Sequence, residues 1–346
     1  MKASASREDT KQPSLSALVD LCADQMSAVN STIIDRLQSD VPLIPELGGH
    51  LIAAGGKRMR PLLTLAGAQV AGADSHGTAK AIKLATAVEF IHSATLLHDD
   101  VIDQSSLRRG RDTANALWGN EASVLVGDFL FARSFELMVE TGNINVLGRL
   151  AAAAARITEG EIQQMAITGI PETPLASYLE VISGKTAILF AAAAAAGAEI
   201  GGGNAADIAV MHDYGMKLGL AFQIMDDALD YAADAGDMGK NVGDDFAHQK
   251  ITMPTIIAWQ KGDEQERAFW RRTLGNADFA DGDLAKAQDL LTKHKAIEAS
   301  LDAARANAVE ASDAIITHCC ARGDQASNII GQALGEAALF AAARNH

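Results

Sequence analysis

Apolar residues recur at helical spacing through most of the chain. Leu15 to Gln38 reads as a first amphipathic helix ending near Ser39, Asp40 and Pro42, and Ile44 to Ala54 as a second, closed by Gly55 and Gly56. The pattern returns over about 61–71, 77–103, 114–141, 144–168, 174–197, 204–231, 251–260, 264–273 and, with breaks, 283–345. No stretch shows the sustained period-two alternation of a half-buried strand. The pattern predicts an all-α fold with no internal repeat of fixed period. A length of 346 residues would accommodate two domains of ordinary size, yet no Pro/Gly/Ser-rich linker divides the chain and only 7 prolines occur. One helical domain over 15–346, preceded by a polar tail over 1–14, is therefore expected.

Composition sharpens this picture. Apolar residues make up 48 % of the chain but aromatics only 5 %, and alanine runs in blocks such as Ala151 to Ala155 and Ala191 to Ala196. Alanine favours helix and lets helix axes approach closely, so a tightly packed bundle is expected. The longest uncharged apolar stretch, Thr186 to Ala198, is shorter than the roughly 20 residues a membrane span needs. It reads as a buried helix, and no transmembrane segment is expected. Met1 to Ser14 has no apolar signal core. The three cysteines, Cys22, Cys319 and Cys320, form neither a disulfide framework nor a metal-ligand spacing, which fits a reducing cytoplasm.

The net charge of −15 argues against nucleic acid, whose binding needs a basic surface. An anionic small substrate would have to be held by locally clustered Lys and Arg with bound cations. Both features are visible. Asp99-Asp100-Val101-Ile102-Asp103 closes the apolar run Ala85 to Leu97. On a helix Asp99 and Asp103 project together, with Asp100 about 100° around, giving a pair of hard oxygen donors of the kind that holds magnesium alongside substrate phosphates. Alone, such a motif is equally the pattern of a solvated helix end. Asp226-Asp227-Ala228-Leu229-Asp230 repeats it after a second apolar run, Leu218 to Met225. Two repulsive triplets beside apolar helical faces make sense chiefly if divalent cations compensate them.

The cations alternate with these motifs. Lys57, Arg58 and Arg60 follow a glycine pair, Arg108, Arg109 and Arg111 follow the first acidic motif, Lys185 and Thr186 follow Gly184, and Lys240 and Lys250 follow the second. Each group taken singly is most simply a charged surface. His92, seven residues before Asp99, and Gln223, three before Asp226, share the faces of the acidic residues, whereas His98 lies off that face and reads as structural. There is no HExxH or paired zinc spacing and no GxxxxGK[ST] loop.

In this order GGKRMRP, HSATLLHDDVID, LRRG, GKTA, FQIMDDALD and MGKNVGDD resemble the trans-isoprenyl diphosphate synthase family, and within it the long-chain polyprenyl synthases. The resemblance runs from about Leu15 to the C-terminus. It implies a mostly antiparallel helical bundle around a central active-site cavity, about three Mg²⁺ ions in the active complex, and a homodimer. By resemblance, Asp99, Asp103 and Asp226 take the metals; Arg108, Lys185, Thr186, Gln223 and Lys240 contact the allylic diphosphate; Lys57, Arg60, His92 and Arg109 hold isopentenyl diphosphate. Two positions depart from the family pattern: Asp112 stands where proline often follows RRGx, and Gln249 where glycine commonly precedes Lys250.

The implied reaction is magnesium-dependent head-to-tail condensation of isopentenyl diphosphate onto an allylic diphosphate, by ionisation, attack and proton loss, to an octaprenyl- or decaprenyl-type product for a quinone side chain. Product length is expected to be set by a tunnel descending from the first acidic motif. The resemblance points to Ala94, where short-chain enzymes carry a bulky aromatic, while an ideal helical wheel places Thr95 nearer the Asp99 face. The alternatives are a short-chain farnesyl or geranylgeranyl synthase and a non-catalytic subunit of a heteromeric synthase. The second would be expected to lose aspartates that are intact here. A terpene cyclase would lack the second DDxxD and the cation sites.

Overall fold

The protein was analysed as a computed structural model, which describes residues 12–53, 56–108, 110–232 and 243–343. In chain order the helices are α1 (Ser16–Leu21), α2 (Ala23–Arg36), α3 (Leu43–Ala53), α4 (Met59–Ala71) and α5 (Ser75–Ile102). A hairpin of β1 (Leu107–Arg108) and β2 (Arg111–Asp112) follows, then α6 (Ala114–Trp118), α7 (Asn120–Glu140), α8 (Ile144–Ile167), α9 (Leu175–Ile182), α10 (Ile188–Ile200) and α11 (Ala205–Ala232). The C-terminal part comprises α12 (Asp244–Ala247), α13 (Met253–Lys261), α14 (Glu264–Trp270), α15 (Asp283–Lys293), α16 (Ala296–Ala321) and α17 (Gln325–Ala341). The architecture is all-α, as the periodicity predicts.

Helix ends follow local chemistry. Asp74 accepts the Gly77 amide at 2.8 Å to start α5, and Asn143 accepts the Asn145 and Val146 amides at the start of α8. Asp263 and Glu266 form a reciprocal capping box on α14. Gly72, at φ 79°, closes α4 in the left-handed region that glycine adopts without strain. Several expected helices are interrupted. The first breaks at Cys22, and the one over 114–141 breaks at Gly119, whose φ is 87°. The one over 174–197 contains a turn of π-helix, Ser183–Ala187, between α9 and α10.

Helix α10 lies at the centre, packed by α4, α5, α8 and α11. Its alanines are buried and its approach to α4 is backbone-close: a Cβ on Gly67 would stand 2.3 Å from the Ala194 carbonyl oxygen, and one on Gly197 2.0 Å from that of Thr64. On the other side Gly215 and Gly219 admit α11 in the same way, with Cβ positions 2.5 Å from the Phe190 oxygen and 2.5 Å from the Ala187 Cα. Small residues thus set the interaxial distances, as the alanine blocks predict. The apolar interior forms two clusters, one mainly from α1–α8, α10 and α17, the other mainly from α9 and α13–α16. Helices α11 and α16 contribute residues to both.

The continuous helical stretch Leu175–Ile200 has a mean hydropathy of 1.6 over its most apolar window, so by length and composition it could cross a membrane. Yet 83 % of that window is buried inside the protein, which makes it a core helix.

Candidate active site

The first acidic motif forms the C-terminal turn of α5, and its carboxylates part as the spacing predicts. Asp100 is buried and turned away, accepting Arg108 Nη2 at 2.7 Å and Nε at 3.1 Å. That two-pronged pair anchors the β1–β2 hairpin to α5. Asp99 and Asp103 remain on the other face. Burial pushes Asp99 up to about 7, with Lys185 opposing and the like charges of Glu161 and Asp103 adding to the rise. Burial also acts to raise Asp103, but Lys250 Nζ at 2.8 Å from Oδ2 overrides it and holds the carboxyl below its ordinary value.

The second motif, near the end of α11, divides similarly. Asp226 is exposed, whereas Asp227 and Asp230 are buried. Asp227 accepts Tyr178 Oη at 2.6 Å on one oxygen and Gln223 Nε2 at 2.7 Å on the other. Burial and the negative charge of Asp245 push it up to about 8. Asp230 accepts the Asp245 amide at 3.1 Å and so fastens the start of α12 to α11.

Lys185, on the π-helical turn, acts through its charge on Asp99 and Asp103 of the first motif. Its Nζ is 2.5 Å from Glu161 Oε2 and donates to Gln164 Oε1 at 2.7 Å, both on α8. Gly160 permits this approach, since a Cβ there would lie 2.4 Å from the Lys185 amide nitrogen. Thr186 Oγ1 donates to Gln223 Oε1 at 2.8 Å. A π-helical turn widens the helix locally and is frequent where side chains must be re-aimed. Lys250 carries a raised pKa: burial lowers it, but Asp103, Asp245 and Glu161 outweigh that effect.

One level deeper along α5, Arg60 Nη1 meets His92 Nε2 at 3.1 Å and lies 4.2 Å from the Phe190 ring centroid. Lys57 Nζ lies 4.2 Å over the Phe340 ring of α17. Arg109 and Lys240 fall outside the described residues. His98 packs on α7 instead, with Nε2 3.1 Å from the Val124 carbonyl and its ring stacked on Phe131. Ala94, one turn before His98, is fully buried, whereas Thr95 is half-buried and donates to the His92 carbonyl at 2.8 Å.

The structure therefore brings Asp99, Asp103 and Lys185 together and pairs Thr186 with Gln223, while Arg60 of α4 meets His92 of α5 and Arg108 is turned onto Asp100. Sequence reasoning missed Glu161, Gln164, Tyr178 and Asp245, and gave Lys250 no specific partner. Glu161 and Gln164 share a helical face, but nothing in their spacing reveals the lysine they meet. Of the departures, Gln249 adopts φ 56°, the left-handed region where glycine is at ease, while Asp112 sits in β2 and offers its carbonyl to His50 at 2.9 Å.

Carboxylates outnumber ammonium groups here, and the donors are hard oxygens, which suits a divalent cation such as magnesium. Among the described residues, no group of three acidic, histidine or cysteine side chains is gathered to hold an ion alone. Any cation at these carboxylates would therefore complete its shell with water and substrate phosphate.

Comparison with known proteins agrees with this chemistry. The sequence profile of the polyprenyl synthetase family matches residues 41–291. The octaprenyl diphosphate synthase of Haemophilus influenzae is 43 % identical over 305 residues, covering 87 % of this chain and 91 % of that protein. The crystal structure of a polyprenyl synthase from Caulobacter crescentus CB15, complexed with calcium and isoprenyl diphosphate, superposes with a TM-score of 0.90 at 47 % identity, covering 97 % and 99 % of the two chains. A decaprenyl diphosphate synthase structure from Rhodobacter capsulatus superposes with a TM-score of 0.83 at 47 % identity, covering 92 % and 98 %.

Proposed function

We propose, from the premise that this chain belongs to the polyprenyl synthetase family, that its site lengthens an allylic diphosphate with isopentenyl diphosphate to a long all-trans polyprenyl diphosphate. The observation that carries the reading is that one short segment ties the two helix-borne acidic motifs together, Lys250 donating to Asp103 while the Asp245 amide donates to Asp230.

In this reading Asp99, Asp103 and Asp226 hold the magnesium ions, about three in the active complex, which neutralise the diphosphate as it leaves. Lys185, Arg108 and Lys240 add positive charge around the same leaving group, and Thr186 and Gln223 line its allylic end. Lys57, Arg60, His92 and Arg109 hold isopentenyl diphosphate so that its double bond faces the allylic carbon. The carbon–oxygen bond breaks, the isopentenyl π electrons form the new carbon–carbon bond, and the proton lost in restoring the double bond passes to the released diphosphate. The protein supplies preorganised charge, alignment and exclusion of water from the cation.

Ala94 and Thr95 are the proposed length-setting positions, both small enough to leave a growing tail room. The octaprenyl and decaprenyl synthases among the relatives support a product of that range, suited to a quinone side chain. We place the enzyme in the cytoplasm as a homodimer, handing its product to membrane enzymes. Purified protein, labelled isopentenyl diphosphate, an allylic primer and Mg²⁺ test the reading, with dephosphorylated products sized by reverse-phase chromatography. Octaprenyl to decaprenyl products are expected, with kcat falling about 10²–10³-fold in Asp226→Ala. Farnesyl or geranylgeranyl products would move the chain to the short-chain class, and no product would favour a non-catalytic subunit.

A further inference from the structure

Two of the cations assigned to isopentenyl diphosphate rest on aromatic faces, in a chain whose aromatic content is only 5 %. Lys57 Nζ lies 4.2 Å from the ring centroid of Phe340, close to the end of α17, and the Arg60 guanidinium lies 4.2 Å from that of Phe190 on α10. Phe340 belongs to the C-terminal helix, to which the metal and diphosphate roles assign no residue. We propose that Phe340 is a positioning residue for isopentenyl diphosphate, its ring face holding the Lys57 ammonium where the diphosphate meets it.

The face of a phenyl ring carries the negative part of its quadrupole and attracts a cation, yet the ring has no net charge. A carboxylate contact, such as Glu161 makes with Lys185, sets a negative charge against an arriving diphosphate. A ring contact limits where the ammonium can go and adds nothing repulsive. Lys57 gains most from such a limit, because it is exposed and its flexible four-carbon stem has many rotamers. Phe340 can impose the limit because it is half-buried and packs on the larger apolar cluster, so its own position is fixed. Phe190 offers Arg60 the same kind of support from inside the bundle, where it is fully buried and tilted against Phe222 with 5.6 Å between ring centroids. The backbone between the two cations is constrained as well. Arg58 has φ 44° and ψ 44°, in the left-handed region that residues with a side chain rarely adopt.

This inference rests on the proposed reaction, with Lys57 at isopentenyl diphosphate. Phe340→Leu keeps apolar bulk but removes the ring face, whereas Phe340→Tyr keeps the face. In steady-state kinetics with Mg²⁺, KM for isopentenyl diphosphate should rise about two- to fivefold in Phe340→Leu and stay near wild type in Phe340→Tyr. The allylic KM and kcat should stay within about twofold in both. Phe340→Met, equally without a face, should match Phe340→Leu. In a double-mutant cycle, Phe340→Leu added to Lys57→Gln should raise the isopentenyl KM little beyond Lys57→Gln alone, because both act through one ammonium. An unchanged isopentenyl KM in the Leu and Met variants, or a Tyr variant as impaired as they are, would overturn the role of the ring while leaving the reaction standing. So would an allylic KM that rises in step, as general loosening of α17 would cause, or losses that multiply in the cycle. A wild type forming no condensation product would overturn both.

Discussion

Asp99 and Asp227 bind protons more tightly in the folded protein than in the unfolded chain, and this gives the metal-free enzyme an unusual dependence on pH. Their pKa values rise from 3.8 to about 7 and about 8, burial being the chief cause in each. Between those limits the native state binds more protons than the unfolded state, so stability falls as pH rises through the window. Asp103 acts in the opposite sense, since its lowered pKa confers stability that is lost only in acid, below the window. In EDTA the melting temperature at pH 8 should therefore lie below that at pH 6, and Mg²⁺ should narrow the gap by favouring the ionised carboxylates. A melting temperature that climbs from pH 6 to pH 8 without metal would contradict the assignment. At this scale Asp99, Asp103 and Asp226 are legible in the sequence because four-residue spacing is a property of one helix. Lys250 is not, because it reaches Asp103 across 147 residues and only the tertiary fold unites them.

Glycine positions and one π-helical turn decide how the helices present their residues. The Gly160 Cα sits so close to the Lys185 backbone that an added methyl must push α8 and the turn apart. Gly160→Ala should cost about 1–3 kcal/mol in urea unfolding, as overpacking usually does. It should also lower kcat out of proportion, because Lys185 and Thr186 ride on the displaced turn. Unchanged kcat in a measurably destabilised variant would show that the turn tolerates displacement. Helix α5 permits a sharper test of product length. Thr95 lies one turn from Asp99 and is half-buried, while Ala94 is fully buried. Thr95→Phe should shorten the product toward farnesyl or geranylgeranyl length with folding intact; Ala94→Tyr should shorten it too but lose stability. Long products from both folded variants would remove this wall from the length mechanism. The helices themselves were legible because their apolar faces repeat with the helical period. The π turn and the breaks at Cys22 and Gly119 were not, since a widened or interrupted turn leaves the apolar pattern on either side nearly in phase. The β1–β2 hairpin was missed because four paired residues are too few to show alternation.

The molecule as a whole carries a net charge of −15, yet α7 presents an apolar stripe to solvent, with Leu125 67 %, Phe135 42 % and Val139 63 % exposed. On an acidic surface such a stripe is the apolar seam that the proposed homodimer would use. Leu125→Arg with Val139→Glu should convert a dimer in sedimentation velocity to a monomer with unchanged helical content. A dimer that persists would move the interface elsewhere. The bundle was foreseeable from alanine blocks, whereas the choice of α10 as its centre was not, because several helices are almost as apolar and only their mutual packing ranks them. That central position has a consequence for hydrogen exchange. With α4, α5, α8 and α11 packed on it and most of its residues buried, α10 should exchange its amides chiefly when the entire fold opens. Deuterium uptake by a peptide spanning residues 188–200 would then act as a clock for global unfolding, slowing as substrate or metal tightens the fold, while peptides from the rim keep exchanging at their own pace.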